Sequence, residues 1–209
     1  MNHVPPTYSA FIGSQRVSTG SLRDVALAVK SAMDGGERRP PTIFDDLTSR
    51  VVDVDYRGTE AEVVARLGAT DTVETVDTEE GEETSPYREP QARGRGRPKL
   101  GVVAREVTLL PRHWDWLASQ PGGASAAVRR LVDAARQSNA GVDRVREAKE
   151  SAYRFMSAMA GNEAGFEEAT RALFAGNASR FLEMTEPWPP DVRDHARTVA
   201  GRAFAALRA

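Results

Sequence analysis

Tyr8-Ser9-Ala10-Phe11-Ile12-Gly13, Arg16-Val17-Ser18 and Ser21-Leu22-Arg23-Asp24 together decide the fold class of the chain. The first two runs read as short strands on either side of a turn. The third matches a capping box, in which the Ser oxygen takes a backbone N–H and the acid three residues on reaches back. Behind it Leu22, Val25, Ala26, Val29 and Met33 recur at helical spacing, and Gly35-Gly36 stops the helix. Thr42-Ile43-Phe44 reads as a third strand. In Val52-Asp53-Val54-Asp55-Tyr56 apolar and acidic residues alternate as on a half-buried strand. Thr59-Glu60-Ala61-Glu62 is a second capping box, with Val63, Val64 and Leu67 on the buried stripe of its helix. The order is ββαββα, which predicts an α+β fold with a small domain over residues 7–68.

Working outward, the charge is sorted along the chain. The 209 residues carry 28 Lys+Arg and 30 Asp+Glu, a formal net charge of -2. Residues 70–90 hold one basic and eight acidic side chains, whereas residues 91–105 hold five basic and no acidic ones. So polar and self-repelling a stretch predicts a disordered acidic-then-basic linker over residues 69–99, with a domain boundary inside it. A chain of this length suits one or two small domains. With no Cys there is no disulfide framework, thiolate metal site or Cys nucleophile. No apolar run is long enough to span a bilayer, and Met1-Asn2-His3-Val4-Pro5-Pro6 lacks the marks of a signal peptide. The expectation is a cytoplasmic protein with no membrane contact.

Asp45, Asp46, Asp53 and Asp55 invite a metal reading, because hard cations favour carboxylate oxygens. No Asp-x-Asp-x-Asp-Gly loop is present, however. Asp45-Asp46 before Thr48-Ser49-Arg50 reads better as turn chemistry, and Asp53 with Asp55 as the wet face of an edge strand. No metal is expected.

Arg93-Gly94-Arg95-Gly96-Arg97-Pro98-Lys99 resembles an AT-hook, whose core here is Arg95-Gly96-Arg97-Pro98. A thin Gly/Pro backbone fits the narrow minor groove of A·T-rich DNA, where a raised negative potential draws arginines inward. Arg93 and Lys99 would sit near phosphates. The alternative is a solvated spacer that balances the acidic run. Next, Arg105-Glu106-Val107-Thr108-Leu109-Leu110-Pro111 reads as a strand ended by Pro. Arg112–Ser119 is a short helix carrying Trp114 and Leu117, and Gln120-Pro121-Gly122-Gly123 is a turn. Ser125 caps a second helix striped by Val128, Leu131, Val132 and Ala135.

Over residues 100–138 this order looks like a ribbon-helix-helix domain. The resemblance implies a homodimer whose strands pair into a β-ribbon for the major groove, with Ser125 at a helix N-terminus as phosphate anchor. Arg105, Arg129 and Arg130 complete the nucleic-acid-binding set. Glu106 on the groove face would repel phosphates, and an ordinary core element is the other reading of the segment. His113, Trp114 and Trp116 read as packing residues rather than ligand contacts, with room for one Trp to lie exposed.

Residues 140–208 are predicted to be helical. Val142, Val145, Ala152, Phe155, Met156 and Met159 mark one helix, ended by Gly161-Asn162. Phe166, Ala169, Leu173 and Phe174 mark a second, ended by Gly176-Asn177, and Phe181 with Leu182 a third. Trp188-Pro189-Pro190-Asp191 opens a fourth, with Val192, Ala196, Val199, Ala203 and Leu207 inside and His195 in a core or capping role.

Phe44-Asp45-Asp46, Arg57-Gly58-Thr59, the run Gly96–Trp114, Gln120–Ser125, Arg171–Gly176 and Trp188-Pro189 resemble the bacterial domain-of-unknown-function family 2239. The resemblance spans Phe11 to Phe204. It implies a bacterial cytosolic protein and transfers no activity, cofactor or catalytic residue. Two functions follow as expectations. One is a DNA-binding regulator or architectural protein. The other is a protein-interaction or small-molecule-sensing module in which the basic segment is only a linker. An enzyme is not expected: the chain has no Gly-rich phosphate loop, no His-Glu-x-x-His and no Gly-x-Ser-x-Gly. Neither a catalytic residue nor a cofactor is assigned.

Overall fold

The structure is a computed structural model that describes residues 5–70, 103 and 105–207. The described residues fall into two compact units, one drawn from Met1–Thr75 with Ser138–Ala209, the other from Val76–Gln137.

In the first unit β1 (Tyr8–Ile12), β2 (Gln15–Gly20), α1 (Leu22–Asp34), β3 (Pro41–Asp45), β4 (Val51–Val52) and α2 (Glu60–Thr70) follow in the expected ββαββα order. The sheet is antiparallel throughout, in the order β2-β1-β3-β4. Both capping boxes form. Ser21 Oγ accepts from the Asp24 N–H at 3.2 Å, and Glu62 accepts from the Thr59 N–H at 2.7 Å. The strand expected over Val52–Tyr56 stops after Val52, although Val54 and Tyr56 still pack against the α1 side of the sheet. In the register that pairs Ile43 with Val52, continuing the ladder would bring Val54 opposite Pro41, which has no N–H to offer.

Ala10 and Ile43 pack with Val25 and Val29 of α1. Phe11 and Phe44 instead belong to a second cluster, built from helices far along the chain. These are α4 (Gly123–Ala160), α5 (Phe166–Ala175), α6 (Ala178–Thr185) and α7 (Pro190–Ala206). Phe155 of α4 lies 5.5 Å from Phe11 and 5.1 Å from Phe44, ring to ring. β1 is therefore buried on both faces, which suits the consecutive apolar residues Ala10-Phe11-Ile12, while the buried Ser9 hydroxyl is 3.0 Å from that of Thr19. The N-terminal α+β segment and the C-terminal helices, expected as separate domains over 7–68 and 140–208, share one core.

Several helix boundaries fall where local chemistry puts them. Gly176 ends α5 in the left-handed conformation at φ 74°, and Asn177 caps α6 by accepting from the Arg180 N–H at 3.0 Å. The Trp188 indole N–H donates to the Ala164 carbonyl at 2.9 Å and holds the approach to α7. One boundary is absent. The two helices expected on either side of Ser138–Gly141 are a single helix, α4. Gly141 has no positive φ, and one glycine costs a helix only about 1 kcal/mol relative to Ala. Val142, expected on the inner stripe, is exposed, as are Phe174 and Leu207.

The second unit contains α3 (Pro111–Ala118) and the start of α4. Leu117 and Ala127 are buried there. Arg105–Leu110, expected as a strand, lies outside any strand and pairs with none among the described residues. Ser125 does not cap α4: the helix already runs from Gly123, after a turn in which Gly122 and Gly123 take φ 84° and 75°. No described helix is long and apolar enough to cross a membrane.

Candidate nucleic-acid interface and an arginine-lined cleft

Arg93, Arg95, Gly96, Arg97, Pro98 and Lys99, like the linker expected over most of residues 69–99, lie outside the described residues. Arg105, Ser125, Arg129 and Arg130 are described, and all four are exposed. Ser125 and Arg129 stand four residues apart on α4 and so share a helix face. The Arg130 guanidinium donates to the Pro121 carbonyl at 3.0 Å, which ties the helix start to its turn without neutralising the charge. Arg105 and Arg129 make no ion pair among the described residues.

The same unit exposes apolar surface. Val107, Leu110, Trp114, Trp116, Leu131 and Val132 each leave between 44% and 60% of their surface in solvent. Both tryptophans are thus partly wet, and Leu117 rather than Trp114 supplies the buried contact of α3.

His195 takes the core position expected of it. Its ring is 4.4 Å from that of Phe155 and 5.4 Å from that of Phe11. Nε2 is buried without a hydrogen-bond partner, 4.0 Å from the equally unpartnered Oδ1 of Asp46. Burial pushes the imidazole down to about 4 despite the Asp46 carboxylate, so the ring is neutral near pH 7.

The turn between β3 and β4 builds a second site. Asp45 accepts from the Leu47 and Thr48 N–H groups at 3.0 and 2.6 Å, which is the turn chemistry its sequence context implies. Asp55 pairs with Arg57 at 2.7 Å, and that guanidinium holds its carboxyl well below the usual range. Ser49 has φ 51° and is fully buried, its hydroxyl 2.9 Å from that of Ser151 on α4. Arg154 donates to the Thr48 carbonyl, and Arg202 of α7 to those of Leu47 and Asp46. Around this pinned turn lies a cleft of about 620 Å³, lined by Arg50, Arg144, Arg146, Arg154 and Arg202 together with Glu147 and Glu150. Sequence reasoning missed it, because none of these arginines stands out in its own segment.

A family model described as an uncharacterized protein conserved in bacteria, domain-of-unknown-function family 2239, matches residues 7–200. The chain belongs to that family. In this member of family 2239 the match takes in β1 through most of α7, and therefore both the described arginines of the second unit and most of the cleft lining. Comparison with curated proteins and with solved structures found no match.

Proposed function

We propose that this family 2239 protein is a bacterial, cytoplasmic DNA-binding regulator or architectural protein that acts as a homodimer. The observation that carries the reading is a local concentration of basic residues. The run Arg93–Lys99 is followed by Arg105, Arg129 and Arg130, which are exposed and have no carboxylate partner among the described residues. Arg95 and Arg97 flank Gly96 before Pro98, a pattern suited to one narrow minor groove. Ser125 and Arg129 would hold phosphates and set orientation without reading sequence. The homodimer is supported by Arg105–Leu110, which pairs with no strand among the described residues, and by the neighbouring exposed apolar side chains, which a second copy would cover.

The test is fluorescence anisotropy on A·T-rich and G·C-rich duplexes over a salt series. Arg97→Ala should remove the preference for A·T-rich duplex. Arg129→Ala should weaken binding to every duplex alike and flatten the slope of log K against log salt by about one unit. No binding to any duplex at low salt, with the fold confirmed by circular dichroism, would sink the reading. The second reading, a protein-interaction or small-molecule-sensing module, is favoured by a specific observation, the cleft beside the β3–β4 turn.

A further inference from the structure

We propose that the cleft formed by the β3–β4 turn, α4 and α7 binds a phosphorylated small molecule of nucleotide size. The inference rests on the sensing reading and is independent of DNA binding through residues 93–136.

The charge balance comes first. Five guanidiniums and two carboxylates line the space, an excess of three positive charges in one concavity. Among the described residues only Arg146 is neutralised locally, by Asp143 at 3.3 Å and Glu150 at 3.1 Å. Arg154 and Arg202 spend donors on backbone carbonyls, and Arg144 donates Nε to the Ala140 carbonyl at 3.2 Å. A neutral carbonyl orients a guanidinium but leaves its charge in place. Each guanidinium has five N–H donors, so Arg154 and Arg202 retain several for a ligand after holding the turn. Arg50 makes no side-chain hydrogen bond or ion pair among the described residues and is exposed.

The second argument is rigidity. Arg154 and Arg202 are held by the same turn they stabilise, and that turn is anchored by the buried Ser49–Ser151 hydroxyl pair and by Asp45. Guanidiniums fixed before a ligand arrives lose less side-chain freedom on binding. Planar, multiply donating groups in such a set recognise phosphate oxygens by paired hydrogen bonds, which an isolated lysine cannot do.

Size and polarity define the rest of the ligand. About 620 Å³ lies inside the range of small-molecule sites and far exceeds what one inorganic phosphate fills. Leu47, Ala148, Val199 and Ala206 give part of the lining an apolar character suited to a ring or carbon skeleton beside the anionic group. A phosphate ester carries about 1.5 to 2 negative charges near pH 7, and a diphosphate somewhat more, in keeping with the positive excess.

The experiment is isothermal titration of the full chain with ADP, inorganic phosphate, adenosine and citrate, repeated on Arg50→Gln and Glu147→Gln. Neither Arg50 nor Glu147 holds the turn through its side chain, and both are exposed, so both variants keep the fold. ADP should bind at least about tenfold more tightly than adenosine or inorganic phosphate. Arg50→Gln should weaken ADP about three- to tenfold and Glu147→Gln should tighten it, opposite signs that a purely structural role would not produce. Citrate or adenosine binding as well as ADP, with the same response to the variants, would overturn the phosphate class and leave a sensing cleft. Binding of none of the four probes at millimolar concentration would overturn the inference and the sensing reading together.

Discussion

His195→Leu should make the stability of the fold less sensitive to mild acid. The imidazole is 4% exposed, wedged between Phe11 and Phe155, and its Nε2 has no hydrogen-bond partner. Burial is the main cause of its depressed pKa. Asp46 opposes the shift from 4.0 Å, while Arg16 and Arg202 add to it, leaving a value of about 4 against an ordinary 6.5. As pH falls the unfolded chain therefore takes up this proton first. The contribution to stability is complete above pH 6.5, declines as pH drops, and is lost once pH passes below about 4. At 1.36 kcal/mol per unit, the loss is about 2 kcal/mol by pH ~5 and approaches about 3 kcal/mol in the acid limit.

Leu approximates the imidazole in volume and packs on the same rings without titrating. Urea unfolding followed by circular dichroism at about pH 7.5, 6.5, 5.5 and 5 gives the comparison. The unmodified protein should lose about 2 kcal/mol more than the variant across that range, or about 4–8 °C in melting temperature. Glu37 is held down to about 2, chiefly by its hydrogen bond to Arg39, and Asp55 is lowered likewise by Arg57. Both are present in the two proteins, so their contribution cancels in the difference. Parallel stability profiles, or an NMR titration that places His195 at or above 6.5, would refute the reasoning.

Phe155→Ala should cost about 3–5 kcal/mol in the same unfolding assay, because the ring is fully buried among Phe11, Phe44 and His195; a loss below about 1 kcal/mol would mean the two parts of the first unit do not share this core. Gly165→Ala should destabilise by about 1–3 kcal/mol, since φ is 82° and a Cβ there would stand 2.8 Å from the Met184 carbonyl oxygen. An unchanged melting temperature in that variant would show that the loop before α5 adapts freely.

Interactions that close within about four residues are legible along the sequence by itself. The Ser21 and Thr59 capping boxes, the Asp45 turn, the Gly176 stop and the Asn177 cap each need only local geometry, and with them came the ββαββα order and the α+β class. The arginine run at 93–99 is equally plain in the sequence, because its signal is composition. What covers the second face of β1 was decided only in three dimensions. An apolar run such as Ala10–Ile12 announces burial on both sides but does not name the covering helix, and here Phe155 lies more than a hundred positions away. The cleft follows the same logic. Arg154 reaches the Thr48 carbonyl across 106 positions and Arg202 that of Asp46 across 156. In the linear chain each is an ordinary helical arginine. Their charges add up only because the turn after β3 docks between α4 and α7, and side-chain packing across such separations leaves no periodic or local trace.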